Sequence, residues 1–507
     1  MRSIEPLPRA ETLCSDDVPG DATMLLHACE DCACAVSEAS PPVGASRAVA
    51  LSAKPGQPWV VDPDVVRVPV GRQRTALFNP RACGGVVVVN DWAAQICGFL
   101  EHPASIPATL DAFSTRLTGT EEALAKLDQA QIIYAAAEGP RVGVDDTRVL
   151  TAWLHITNAC NLRCSYCYLR QTNEAMNEAT GQAAIAAIMT SAASQGFSAV
   201  RLKYAGGEAA LNAPVLQAVH RYAQDLARSH GIGLSAVLLT NGVHIPQTLL
   251  DWLKSQDVGV AVSLDGLGAY HDVQRPRANG AASSGSVERA IHRLVESGLA
   301  PHLSITITRL NAPGLADLVR FALERDLTFS FNFYRETPGR TTNLHCTPAE
   351  LLSALGRSFE VIEELMPRWS VLGSILDRGQ LLRRRERACG AGLDYLVIDQ
   401  RGKLARCHMT IEETIGDVFS GDDILTRVRG GDATRLFPSV DRKTGCDACI
   451  WRYWCAGGCP LATQGIKGTT AERSPRCEVN QQLYPQALRL EGLRLVKYAV
   501  PHQASGR

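Results

Sequence analysis

The chain has 507 residues, 46% of them hydrophobic, and a formal net charge of -1. That length allows two to four domains with a substantial core, and the charge balance excludes a basic nucleic-acid footprint or an acidic tail. The sequence contains no run of 18 apolar residues and opens with acids at Glu5, Glu11, Asp16 and Asp17, which excludes a spanning helix and a secretory signal and points to a cytoplasmic protein without a membrane partner.

Residues 1–58 are rich in Pro, Ala, Ser and Asp without sustained periodicity and read as a loosely ordered segment. Within it, Cys29, Cys32 and Cys34 form a tight group, either an extra metal or redox site or a tail without a fixed partner. Residues 59–140 read as a small domain. A strand is expected over 74–79, a Pro-Arg-Ala-Cys-Gly-Gly turn follows, and a second strand covers 86–89. Asn90 or Asp91 is placed to cap a helix over 92–100, and further helices are expected over 106–117 and 121–133.

From 148 to 340 strand and helix alternate. Strand-like runs cover 150–157, 200–204, 234–240, 258–264, 302–307 and 328–333. Helical segments between them include 179–195, 215–229, 287–296 and 315–324. Six such units predict a parallel sheet with right-handed crossovers, an α/β fold that fits a partial (β/α)6 TIM-like barrel. Functional residues then gather at the C-terminal ends of the strands. Residues 341–385 read as a helical linker, 386–480 as a Cys-rich C-terminal domain and 481–507 as a terminal helix and tail.

Seventeen cysteines, an odd and unevenly clustered set, fit metal ligation in a reducing compartment better than a disulfide framework. The decisive group is Cys160, Cys164 and Cys167, spaced C-x-x-x-C-x-x-C directly after the first barrel strand. Three thiolates can hold three corners of a [4Fe-4S] cube and leave the fourth iron for another ligand. Gly206-Gly207-Glu208 follows the second strand, where glycines permit a close backbone approach and a carboxylate can accept hydrogen bonds from an ammonium group. Asn241 ends the third strand. Ser263 and Asp265 end the fourth. Their amide, hydroxyl and carboxylate groups suit a ribose and an amino-acid carboxylate, although Asn-Gly and Asp-Gly are also ordinary turn sequences. On the fifth strand, Ile305 and Ile307 either flank an adenine or pack in the core.

A second array lies further on. Cys389, Gly402 and Cys407 are spaced C-x12-G-x4-C. Cys446, Cys449, Cys455, Cys459 and Cys477 follow as C-x2-C-x5-C-x3-C-x17-C. Taken alone, the inner four also suit a zinc ribbon with four cysteine ligands, which would make the chain a non-catalytic metal-binding protein.

The Cys160 loop resembles that of the radical S-adenosylmethionine (radical SAM) superfamily. The resemblance implies that the open iron binds S-adenosylmethionine, and that one electron splits it to a 5′-deoxyadenosyl radical which abstracts hydrogen from substrate. It implies that Tyr166 lies near the adenine, that Gly206, Gly207 and Glu208 line the methionine amino group, and that Ser263 contacts the cofactor. The second array resembles the SPASM domain of peptide-modifying members, which carries two auxiliary [4Fe-4S] clusters, for three in all. By that resemblance Cys389, Cys407 and Cys459 hold the first, and Cys446, Cys449, Cys455 and Cys477 the second. The first is left with three thiolates, so that Cys346 or a substrate thiol is its candidate fourth ligand. Residues 59–140 resemble winged-helix leader-peptide recognition domains.

Together these imply a maturase that installs an oxidative crosslink, thioether or carbon–carbon or carbon–oxygen, in a ribosomally made peptide. An external electron donor such as a flavodoxin or ferredoxin is also implied. The alternative is a formylglycine-forming maturase, in which an Asp base follows the second Cys of the array. Here that position is His408, a candidate base beside Asp265. Arg335 and Glu336, after the sixth strand, are candidate substrate contacts or a surface pair.

Overall fold

The computed structural model describes residues 24–26, 56–82, 85–139, 148–337 and 343–498. The expected loose segment over 1–58 lies almost wholly outside them, as do Cys14, Cys29, Cys32, Cys34 and Cys83. Among the described residues no helix is long and apolar enough to cross a membrane.

The N-terminal part contains two small antiparallel sheets. Strands β1 (Met24–Leu26), β3 (Val66–Pro69), β4 (Arg74–Phe78) and β5 (Val86–Asn90) form one, in the order β1-β5-β4-β3; β2 (Pro58–Val61), β6 (Ala104–Ser105) and β7 (Ile133–Ala135) form the other. Helices α1 (Asp91–Phe99), α2 (Ile106–Ala112) and α3 (Leu117–Gln129) accompany them. Asn90 caps α1 by accepting from the Ala93 N–H at 3.0 Å. Successive residues of a strand face opposite sides, and both sides of the four-stranded sheet are apolar. Leu77, Val87 and Val89 enter a core with α1 and α3, whereas Ala76, Phe78, Val86 and Val88 join the main core of the molecule.

The central layer is a nine-stranded sheet. Its parallel run is β8 (Val149–Thr157), β9 (Ala199–Gly206), β10 (Gly233–Thr240), β11 (Gly259–Ser263), β12 (His302–Ile307) and β13 (Phe329–Phe333). Helices α4 (Glu178–Ser194), α5 (Ala213–His230), α6 (Gln247–Ser255), α7 (Ser284–Glu296) and α8 (Leu315–Leu323) form the crossovers. This is the six-unit α/β architecture expected from the alternation.

The sheet does not stop at β8. Strand β14 (Tyr395–Ile398) pairs parallel to β8, and β15 (Lys403–Ala405) and β16 (Gly416–Asp417) continue antiparallel. The Cys-rich region therefore covers the edge that the barrel's first strand would otherwise expose. Helix α9 (Pro348–Leu365) follows the sixth unit; α10 (Ile424–Arg429), α11 (Pro460–Lys467) and α12 (Cys477–Lys497) complete the chain. Helix α12 lies against the four-stranded sheet, with Gly492 so close that a Cβ there would stand 2.6 Å from Val70. Phe78 meets Trp454 edge-on at 4.7 Å, and Trp454 Nε1 donates to the Pro80 carbonyl at 2.8 Å. The tryptophans of the second cysteine array thus anchor the N-terminal sheet.

Candidate active site

The Cys160–Cys167 loop leaves β8 at the C-terminal end of the sheet. A register shift between His155 and Thr157 opens the ladder there. His155 is buried and meets Asn158 Oδ1 at 3.3 Å; burial, the largest influence, pulls its imidazole down to about 4. Asn158 also donates to Thr172 Oγ1 at 3.0 Å, tying the loop to its own return. The Leu162 N–H and the Asn241 amide point at the Cys160 sulfur, at 3.4 and 3.8 Å. Burial pushes the Cys164 thiol up to about 12, and only coordination or a nearby cation makes thiolates favourable in such surroundings.

A segment that the sequence did not single out holds the loop from the other side. The N–H groups of Arg163, Ser165 and Ala278 bond to the carbonyls of Pro276, Gln274 and Asn161 at 2.8–2.9 Å. From this segment Arg275 reaches the hydroxyl of Tyr166, which donates to Asp265 Oδ2 at 2.5 Å; Arg275 itself lies 3.5 Å from that oxygen. The other carboxylate oxygen of Asp265 accepts from the Thr306 N–H at 2.7 Å. Asp265 is fully buried with both oxygens engaged, so it braces Tyr166 and the β11 and β12 ends instead of serving as a free base. Arg275 Nε is buried without an acceptor among the described residues and sits near Cys164, which fits a counter-charge for an anionic cluster.

The glycines of Gly206-Gly207-Glu208 meet backbone. A Cβ on Gly206 would stand 2.3 Å from the Thr157 carbonyl oxygen, and one on Gly207 2.4 Å from that of Ala159. Glu208 is buried and accepts from Thr240 Oγ1 (2.8 Å) and the N–H groups of Asn241 (2.7 Å) and Ala210 (3.1 Å). Its carboxylate joins the ends of β9 and β10. Asn241 is brought to the Cys160 loop, donating to Asn161 Oδ1 at 2.7 Å. Ser263 stands half-buried at the end of β11, whereas Ile305 and Ile307 are buried in the barrel core.

In the second array, Cys446, Cys449, Cys455 and Cys477 all line one pocket, together with Trp451 and Tyr484. Asn480 Nδ2 donates to the Cys455 sulfur at 3.5 Å. Cys389, Cys407 and Cys459 act on one another electrostatically as a second set. Burial pushes the Cys407 thiol up to about 12. Burial also raises Cys459, but Arg335 and Arg378 outweigh it, and its thiol lies below the ordinary range. Cys346 is buried in the main core, where burial pushes its thiol up to about 11, and its charged neighbours are Glu350 and Arg476.

Cys459 also lines a cleft at the end of β13, with Arg335, Arg378, His345 and Arg476. Arg335 is not paired with Glu336. It grips Asp377 with two bonds of 2.7 and 2.8 Å, and Glu336 lies 3.4 Å from His345. His408 stacks on Trp153 at 4.5 Å and meets the Tyr395 hydroxyl at 3.0 Å, with Tyr168 of the first loop 5.7 Å away. Burial, then Arg378, Lys203 and Arg335, hold it well below the ordinary histidine value, so it is a neutral imidazole between the two cysteine regions.

Residues 154–321 match the Radical SAM superfamily. The barrel is a radical SAM domain. Members of that superfamily use S-adenosylmethionine and a [4Fe-4S] cluster, and the match covers this barrel. The maturation protein SkfB for the sporulation killing factor of Bacillus subtilis is 26% identical over 177 residues, 35% of this chain and 40% of SkfB. The structure of native anSMEcpe with bound AdoMet and Cp18Cys peptide superimposes with a TM-score of 0.55 at 18% identity, over 69% of this chain and 98% of that one. Streptococcus suis SuiB bound to S-adenosylmethionine gives a TM-score of 0.50 at 15% identity, over 83% and 100%. These two likenesses establish the fold.

Proposed function

We propose that this radical SAM enzyme oxidises a ribosomally made precursor peptide and closes a crosslink in it, using three [4Fe-4S] clusters and an external one-electron donor. The observation that carries the reading is the grouping of the second array: four thiols around one cavity, and three more, one of them opening on the Arg335–Arg378 cleft. Similarity to SkfB, a maturation protein, supports a peptide substrate.

When bound, the cofactor and clusters supply a carbon-centred radical and an acceptor for the second electron. The chain's own residues orient and neutralise. Cys160, Cys164 and Cys167 would hold the first cube, with Arg275 as counter-charge and Asp265 fixing Tyr166. Asn241 and Ser263 at the strand ends would meet the cofactor. Cys446, Cys449, Cys455 and Cys477 would hold one auxiliary cube, and Cys389, Cys407 and Cys459 three corners of the other. Cys346 is engaged in the core, which favours a substrate thiol as the remaining ligand and a thioether as the bond formed. His408, next to Cys407, is held neutral by burial and by Arg378, which disfavours it as a base and leaves it as the ring that packs on Trp153 and bonds Tyr395.

Coexpression with the precursor peptide, followed by mass spectrometry, tests the reading. The expected product is lighter by two hydrogens per crosslink, and an unchanged peptide mass would contradict it.

A further inference from the structure

Lys443 is only 3% exposed, in the loop that leads into Cys446. Its ammonium donates to the carbonyls of Gly457 at 3.2 Å and Glu472 at 3.5 Å. Among the described residues it forms no ion pair with a carboxylate. A buried ammonium without an opposite charge is strongly disfavoured. Yet the site is shaped for it: a Cβ on Gly457 would fall 2.3 Å from Lys443 Cδ and 2.9 Å from Cε, so only glycine leaves room for the stem.

The groups around it that cluster binding would make anionic are sulfurs from both halves of the second array. Cys446 and Cys455 belong to the four-thiol cavity, Cys459 and Cys389 to the three-thiol set, and all four bear on Lys443 electrostatically. We infer that Lys443 is a shared counter-charge between the two auxiliary clusters, raising the reduction potential of both. This rests on the three-cluster reading above. Reduction adds negative charge, a fixed positive charge nearby favours it, and low dielectric lets one ammonium act on both sites. Lys443 is a positioning residue for electrons and touches no reacting atom.

The test is a redox titration of the anaerobically reconstituted enzyme, followed by electron paramagnetic resonance, in wild type, Lys443→Gln and Lys443→Arg. Gln keeps a donor toward Gly457 and loses the charge, and Lys443→Met is the second neutral variant should Gln fold poorly. The neutral variant is expected to lower both auxiliary midpoints by about tenfold in the reduction equilibrium, about 59 mV for one electron. The cluster of Cys160, Cys164 and Cys167 should be unmoved, and Arg should restore the auxiliary values. Unmoved auxiliary midpoints with iron near twelve atoms per chain, or an equal shift of all three clusters, would overturn this inference alone. Wild-type iron near four atoms per chain would overturn the three-cluster reading and this inference with it.

Discussion

Arg275 shows how one buried side chain organises the Cys160–Cys167 loop. It contacts the Tyr166 hydroxyl, lies 3.5 Å from Asp265 and has a buried Nε with no acceptor among the described residues. Removing one partner of a buried pair costs about 3–5 kcal/mol. Arg275→Met is therefore expected to lower the melting temperature and the iron retained at the first cluster, whereas the auxiliary iron persists; full iron with unchanged stability would contradict this role. The cysteines of that loop were legible because their spacing is itself the chemistry. Arg275 was not, because nothing in a polar loop distinguishes an arginine that turns inward from one that faces water.

Histidine burial adds a pH dependence. His220, His271 and His302 are each lowered from 6.5 to about 4, chiefly by desolvation. Between about pH 4 and 6.5 the unfolded chain binds protons that the folded chain refuses. Stability therefore rises with pH across that window and is lost as pH falls through it. The melting temperature should climb from pH 4 to 6.5 and level off above, and a flat profile below 6.5 would contradict these burials.

At the scale of elements, the junction between β8 and β9 controls the site. Gly207→Ala would place a Cβ 2.4 Å from the Ala159 carbonyl, and that backbone carries the cysteine loop. The variant is expected to lose about four iron atoms per chain and keep the auxiliary iron, as measured by metal analysis and resonance spectra. The α12 contact makes a second prediction. Gly492→Leu presses on Val70 and Ala76, and should loosen the four-stranded sheet, read as faster proteolysis of residues 56–139 with the barrel intact.

The barrel strands were legible because they are short, largely apolar runs separated by helical periodicity, and the first four end in a Gly, Asn or Asp turn. Strand β14 was not. Its four residues lie inside a cysteine motif, and nothing local announces that they pair with β8, more than 200 residues earlier. Likewise Val86–Val89 reads as one apolar strand, but only the fold reveals that its alternate residues serve two different cores.

Across the whole molecule, the sheet runs unbroken from β13 to β16, so the radical-generating loop and the Cys407 region share one scaffold. The His408 ring, between Trp153 of β8 and Tyr395 of β14, lies at that seam. In the proposed reading, radical formation and the second oxidation would fall on neighbouring strands, with the Arg335–Arg378 cleft beside Cys459 as the candidate peptide entrance. The central claim is most directly tested by quantifying 5′-deoxyadenosine. The anaerobically reconstituted enzyme is incubated with S-adenosylmethionine, a strong reductant and the precursor peptide, in wild type and in Cys164→Ala. The account predicts 5′-deoxyadenosine formed with the modified peptide in wild type and neither in the variant. A wild-type enzyme with full iron that yields no 5′-deoxyadenosine, or a variant that still makes it, would contradict the account.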